Sequence, residues 1–125
     1  MEPLVLHPSA HTPSVNLSPI TGIFEFKGRS TPENSVEYYE PIYKWLDMYI
    51  QQPLPKTVVN LQFEYFNTSS SKCILDMLKK FVKLYNSGNE VVINWLYEEE
   101  DDDMKEAGED YSDILKLPFE IQVIG

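Results

Sequence analysis

The stretch that decides the fold is Thr57-Val58-Val59-Asn60-Leu61-Gln62-Phe63-Glu64-Tyr65-Phe66, with the Asn67-Thr68-Ser69-Ser70-Ser71-Lys72 that follows it. The first part alternates. Val59, Leu61, Phe63 and Tyr65 fall on one face, and Asn60, Gln62 and Glu64 mostly on the other, as in a strand with one buried face. Beyond the hydroxyl run, Ile74, Met77 or Leu78, Phe81, and Leu84 or Tyr85 recur at helical spacing, with Lys72, Lys79, Lys80 and Lys83 around them. A helix therefore begins within residues 67–71, and Asn86-Ser87-Gly88-Asn89 stops it. Glu90 to Tyr97 then reads as a second strand, apolar enough to be central. Strand, helix, strand in that order indicates a parallel pair joined by a right-handed crossover.

Working towards the N-terminus, Gly22 to Lys27 is rich in β-branched and aromatic residues and reads as a strand. Val15 and Leu17 alternate with polar neighbours, and Thr21-Gly22 offers a tight turn, so the two segments form a hairpin. Leu4 to Leu6 is a candidate short strand, broken by His7-Pro8-Ser9. Between the hairpin and Thr57 lies a helix with two competing starts. Ser30 with Glu33 matches a capping box, whereas Thr31 with Pro32 matches a Thr cap followed by proline in the first turn. Val36, Tyr39, Tyr43, Leu46 and Ile50 define its apolar face. Pro41 lies inside it and is expected to kink it or split off its first turn, since an interior proline costs about 3 kcal/mol.

Working towards the C-terminus, Met104, Ala107, Tyr111, Ile114 and Leu115 suggest a third helix, weakened by Gly108. Phe119, Ile121 and Val123 suggest a last strand. The order is β-β-α-β-α-β-α-β. The expected fold class is α/β, a single layer-type domain over residues 1–125 with a mixed sheet of about five strands and three helices. Residues 1–11 are expected to be loosely ordered.

The composition narrows the function. A net charge of −10 argues against nucleic acid and against anionic membrane surfaces as partners. The acidity is local: Glu98 to Asp110 holds nine acids and one lysine, a charge of −8, while the rest of the chain carries only −2. No apolar run approaches the ~20 residues that span a bilayer, and no signal-peptide pattern opens the chain. The single cysteine, Cys73, has no partner for an internal disulfide. These features describe a soluble, cytoplasmic protein.

Enzyme motifs are missing. There is no Gly-x-Ser-x-Gly, Walker loop, Gly-x-Gly-x-x-Gly or Cys-x-x-Cys. His7 and His11 lie in the Pro/Ser-rich N-terminus, away from the expected body. Cys73, near a helix start, is a conceivable activated thiol, but a small buried apolar residue is the simpler reading. The acids from Glu98 to Asp103 lack the spacing of an EF-hand loop, so no metal site is assigned. They suit a helix N-terminus, or an electrostatic surface for a basic partner.

The informative segment is 67–72. Four successive hydroxyls exceed what one helix cap needs, and they stand where a strand hands over to a helix, a place where anions and ligands gather in α/β sheets. Three readings stay open from the residues alone: a loop that binds phosphate or a small ligand reversibly, a loop that accepts a phosphate covalently, and a Ser/Thr-rich cap with no further role. A minor enzyme acting through Cys73 or Ser70 is a more distant alternative.

Two motifs bring a resemblance. Gly28-Arg29-Ser30-x-Pro32-Glu33-Asn34 and Tyr65-Phe66-Asn67-Thr68-Ser69-Ser70-Ser71-Lys72 resemble the two signatures of the SiaC family of bacterial regulatory phosphoproteins. Tyr38-Tyr39-x-Pro41-Ile42, Trp45-Leu46, Trp95-x-Tyr97 and Asp102 to Asp110 are similar to it as well. Thr31 departs from the pattern, standing where the family often has an aromatic residue. The resemblance implies a fold like that of STAS-type anti-sigma-factor antagonists, with no catalytic residue, metal or cofactor. It implies phosphorylation of Thr68 by a dedicated protein kinase and its reversal by a PP2C-type phosphatase. It implies partner binding by the surrounding loops, Asn67, Ser69, Ser70, Ser71 and Lys72 together with Arg29, Ser30, Glu33 and Asn34. In the best-known member the unphosphorylated form binds and activates a diguanylate cyclase, which raises cyclic-di-GMP and promotes biofilm. If the strands before the two motifs run the same way, both loops share one sheet edge, where Arg29 can hold a phosphate on Thr68 or meet a partner.

Overall fold

The computed structural model describes residues 1–124. Its elements are β1 (Leu4–Leu6), β2 (Ser14–Leu17), β3 (Ile23–Ser30), α1 (Ser35–Gln51), β4 (Lys56–Phe66), α2 (Thr68–Asn86), β5 (Glu90–Glu98), α3 (Asp102–Leu115) and β6 (Phe119–Ile124). The strands form one sheet in sequential order, β1-β2-β3-β4-β5-β6. β1, β2 and β3 are antiparallel neighbours, and β3 to β6 run parallel. Sequential order with right-handed crossovers puts all three helices on one face. Burial follows: Phe24, Phe26, Val59, Leu61, Phe63, Val91, Ile93 and Trp95 are buried under the helices. On the opposite, uncovered face Asn94 Nδ2 donates to Asn60 Oδ1 at 2.8 Å.

The sheet has six strands rather than about five because Leu4–Leu6 pairs in full with β2, Leu4 opposite Leu17 and Leu6 opposite Val15. Trp45 Nε1 donates to the Glu2 carbonyl at 2.8 Å and ties the start of that segment to α1. The hairpin turn is as expected, with Gly22 at φ 72°, where a Cβ would also meet the Lys56 carbonyl oxygen at 2.6 Å.

Three local expectations need correction. First, α1 starts neither at Ser30 nor at Thr31. β3 continues to Ser30, which pairs with Phe66, and the cap is Asn34, whose side chain accepts from Glu37 N. Secondly, the buried face of α1 is Ser35, Tyr39, Ile42, Trp45, Leu46 and Tyr49, and Val36 is exposed. The helix is continuous through Pro41, which faces solvent. Thirdly, Tyr65 is exposed. The register passes from Gly28↔Phe63 to Arg29↔Tyr65, so Glu64 is an extra residue, a bulge that reverses the alternation. Phe66 thereby turns inward, its ring 5.7 Å from Phe63 and 6.4 Å from both Trp95 and Tyr111.

Helix α2 buries Cys73, Ile74, Met77, Leu78, Phe81 and Leu84, while Tyr85 stays outside. Gly108 does not break α3. It lets the helix approach β5, since a Cβ there would lie 2.4 Å from Trp95 Cδ1, and Trp95 Nε1 donates to the Met104 carbonyl at 2.9 Å. Ile114, expected in the core, is exposed on the outer side of α3. Asp101 caps this helix by accepting from Met104 N, with Asp102 and Asp103 in its first turn, where the helix dipole favours acids. Among the described residues no cluster of metal-ligating side chains forms, and no helix is long and apolar enough to cross a membrane.

Candidate functional site

Because β3 and β4 are parallel neighbours, their C-terminal ends lie on one edge, and the starts of α1 and α2 meet there. The two loops are joined directly: Asn67 N donates to the Ser30 carbonyl at 3.2 Å. Asn67 is the α2 cap. Its Oδ1 accepts from Ser70 N at 2.9 Å and from Ser69 Oγ at 3.2 Å. Asn34 is the matching cap of α1 and accepts from Glu37 N at 3.1 Å. His11 belongs to this edge too, since Thr31 N donates to its carbonyl at 2.8 Å.

Behind the caps runs a chain of hydroxyls. Tyr39 bonds Ser30 at 2.7 Å, Ser30 donates to Ser70 at 3.0 Å, Ser70 meets Ser35 at 3.2 Å, and Ser35 meets Ser69 at 2.8 Å. Ser69 ends the chain on Asn67 Oδ1. Each hydroxyl has one proton. With Ser30 donating to Ser70 and Ser69 to Asn67, the rest is forced: Tyr39 to Ser30, Ser70 to Ser35, Ser35 to Ser69. Bonds aligned head to tail polarise one another, and Ser30, Ser35 and Ser70 are all buried with their hydroxyls paired. Burial pushes the Tyr39 phenol well above its usual pKa. On the α3 side, Tyr111 OH donates to the Ser71 carbonyl at 2.9 Å and lies 3.0 Å from Ser71 Oγ. Its pKa is raised by burial, with the Ser71 bond working against the rise.

Thr68 differs from its neighbours. It is the first residue of α2, it is exposed, and among the described residues its hydroxyl alone in the 68–71 run has no partner. Lys72 stands one helical turn on, exposed and 3.5 Å from Asp76. Clefts open on both sides of the α2 start. One, of about 990 Å³, is lined by Glu33, Asn34, Val36, Tyr38, Pro41 and Ser69, among others. The other, about 520 Å³, lies between α2 and α3 and is lined by Thr68, Lys72, Leu75, Ala107, Asp110 and Ile114, with others.

The structure thus brings Ser30, Asn34, Asn67, Thr68, Ser69, Ser70 and Ser71 to one edge, with Glu33 on the neighbouring cleft and Lys72 a turn away. Arg29 is placed otherwise. It pairs with Tyr65 across the strands and its guanidinium lies 5.3 Å from that ring. Arg29 follows the alternation of β3 to the sheet face opposite the helices and the bulge turns Tyr65 to the same face, whereas Thr68 begins a helix. Sequence reasoning missed Ser35 and Tyr111 as members of the site and read Tyr39 only as a core residue. Two serines spaced as strand end and helix start, Ser30 and Ser35, were the available signal.

The family model for the SiaC family regulatory phosphoprotein matches residues 6–124. The chain belongs to the SiaC family. One relative is an uncharacterised protein of Pseudomonas aeruginosa strain UCBPP-PA14, 27% identical over 111 residues, covering 89% of this chain and 88% of that protein. The crystal structure of apo-SiaC from Pseudomonas aeruginosa superposes with a TM-score of 0.91 at 26% identity, covering 98% of this chain and 99% of that one. SiaC from the same organism, in a crystal structure of the diguanylate cyclase SiaD in complex with this activator, matches with a TM-score of 0.91 at 26% identity, covering 97% and 99%. The mixed α/β domain with its three helices is therefore the family's architecture.

Proposed function

We propose that this chain is a non-catalytic cytoplasmic regulator switched by reversible phosphorylation of Thr68. In its unphosphorylated form it binds a downstream effector, a diguanylate cyclase as for the SiaC of the SiaD complex. A protein kinase adds the phosphate and a PP2C-type phosphatase removes it. One observation carries the reading: Thr68 is the single exposed, unengaged hydroxyl of the run, at a helix start between two clefts.

The physics of the switch follows from that place. A phosphate adds about −1.5 to −2 charges. At a helix N-terminus an anion is favoured by about 0.3–1 kcal/mol, and Lys72 is within a turn, so the fold is barely disturbed. A partner seated over the edge instead has to desolvate the new charge. A buried charge left unpaired at an interface commonly costs about 2–5 kcal/mol of binding. Arg29 and Glu33, exposed on either side of the edge, are assigned to partner contact. The alternative reading, reversible phosphate binding, has less support: the loop's inner hydroxyls already satisfy one another, and the two clefts beside it carry Glu33, Glu37 and Asp110 against the single cation Lys72.

Calorimetric titration against the isolated cyclase tests the proposal. Thr68→Ala should bind as wild type does, and Thr68→Asp should bind at least tenfold more weakly. Equal affinities for all three proteins would defeat it.

A further inference from the structure

Resting on the reading of Thr68 as the phosphorylated position, we propose that Ser35, on a different helix, is the residue that confines the kinase to Thr68 and keeps the adjacent Ser69 from being used. In the transfer, the attacking hydroxyl oxygen bonds the terminal phosphorus of a nucleoside triphosphate. The bond from that phosphorus to the diphosphate bridging oxygen breaks, the hydroxyl proton passes to the kinase's base, and the diphosphate leaves. A hydroxyl can do this only when its proton can be handed to the base and its lone pair is directed outward.

The four hydroxyls of the run are withheld by different means. Ser70 is fully buried and out of a kinase's reach. Ser71 is engaged by Tyr111 from α3. Ser69 is exposed, so burial does not protect it. Its oxygen accepts the proton of Ser35 at 2.8 Å, and its own proton goes to Asn67 Oδ1 at 3.2 Å. Ser35 is itself held by Ser70 and is buried in the first turn of α1, so it does not swing away. Ser69 thus has both its proton and a lone pair committed, while Thr68, one residue before it, has neither. The Ser35 bond is the shorter of the two that hold Ser69, and it comes from outside the loop, so it fixes the rotamer that turns the Ser69 oxygen towards Ser35.

The test is phosphopeptide mapping of the full chain produced in its own cell. The wild type should carry phosphate on Thr68. In Ser35→Ala the share on Ser69 should rise roughly fivefold or more, the factor that one neutral hydrogen bond represents. Ser35→Cys, close in size and a weak donor, should shift the same way, and serves if the alanine variant does not fold. Ser35→Thr keeps the hydroxyl and should restore the wild-type ratio. The double variant Ser35→Ala/Thr68→Ala should carry phosphate on Ser69, whereas Thr68→Ala alone carries none. Phosphate on Thr68 in the wild type with an unchanged ratio in folded Ser35→Ala or Ser35→Cys overturns the role of Ser35 alone. A wild-type chain with no phosphate in the 68–71 run overturns the functional reading beneath it.

Discussion

The starts of α1 and α2 are built to one local plan. Each follows a parallel strand, each has an asparagine cap accepting from the third helical N–H, and each puts a hydroxyl at the first helical position, Ser35 in α1 and Thr68 in α2. Their fates are opposite. Ser35 is buried and donates into the hydroxyl chain, whereas Thr68 is exposed and free. The connections differ in length: four residues separate Ser30 from Ser35, but only Asn67 separates Phe66 from Thr68. The longer loop carries α1 across so that its first turn abuts the start of α2, and whatever occupies that turn is enclosed. A modifiable hydroxyl is thus made by the neighbour that each helix start meets, and the cap motif is common to both.

The same substitution at the two positions gives the largest contrast. Ser35→Asp places a carboxylate among hydroxyls inside the edge, and an uncompensated buried charge costs about 3–5 kcal/mol. Thr68→Asp should move stability by less than about 1 kcal/mol, in the favourable direction, because its carboxylate meets water and a helix N-terminus. Urea denaturation of both variants measures this, and equal losses would mean that the two starts are not different environments.

Ser70→Ala should show an intermediate effect. It removes the link between Ser30 and Ser35, leaving a buried donor without its acceptor, a loss of about 1–3 kcal/mol. The same change at Thr68 removes no bond and should be neutral within about 0.5 kcal/mol. A Ser70→Ala protein as stable as wild type would show that the chain of hydroxyls contributes little.

The smallest effect at neutral pH is that of the phenols. Burial pushes Tyr38, beside the α1 start, up to about 12 from an ordinary value of 10, and raises Tyr39 further. A phenol whose folded pKa is raised stays neutral in the folded chain after it has ionised in the unfolded one. Its stabilising contribution is complete below pH 10 and declines as pH climbs from 10 through 12 and beyond. Tyrosinate absorbance should therefore appear for Tyr38 and Tyr39 together with loss of fold in that window. Their ionisation near pH 10 in a folded protein would contradict the packing of the α1 start.

How much was legible beforehand differs between the same two regions. The β4–α2 start could be read from the chain, because its alternation, cap and helical repeat are contiguous and leave a single place for the junction. The α1 start was misread, since Ser30 with Glu33 and Thr31 with Pro32 both satisfy the local rules for a cap. What decides against them is the pairing of Ser30 with Phe66 on another strand. The side of Tyr65 was misread for a related reason: a bulge at Glu64 is a property of two strands fitted together.

The sequence by itself determined the α/β class, the order of helices and strands, the parallel centre of the sheet and the prominence of residues 67–72, because hydrophobic period and capping chemistry act over a few neighbouring residues. Only the tertiary structure decided which hydroxyl is free. Ser69, Ser70 and Ser71 are engaged by Ser35, Ser30 and Tyr111, 34 to 40 residues distant in the chain. A hydrogen bond of that kind depends on distance in space, which the local pattern of a sequence does not carry.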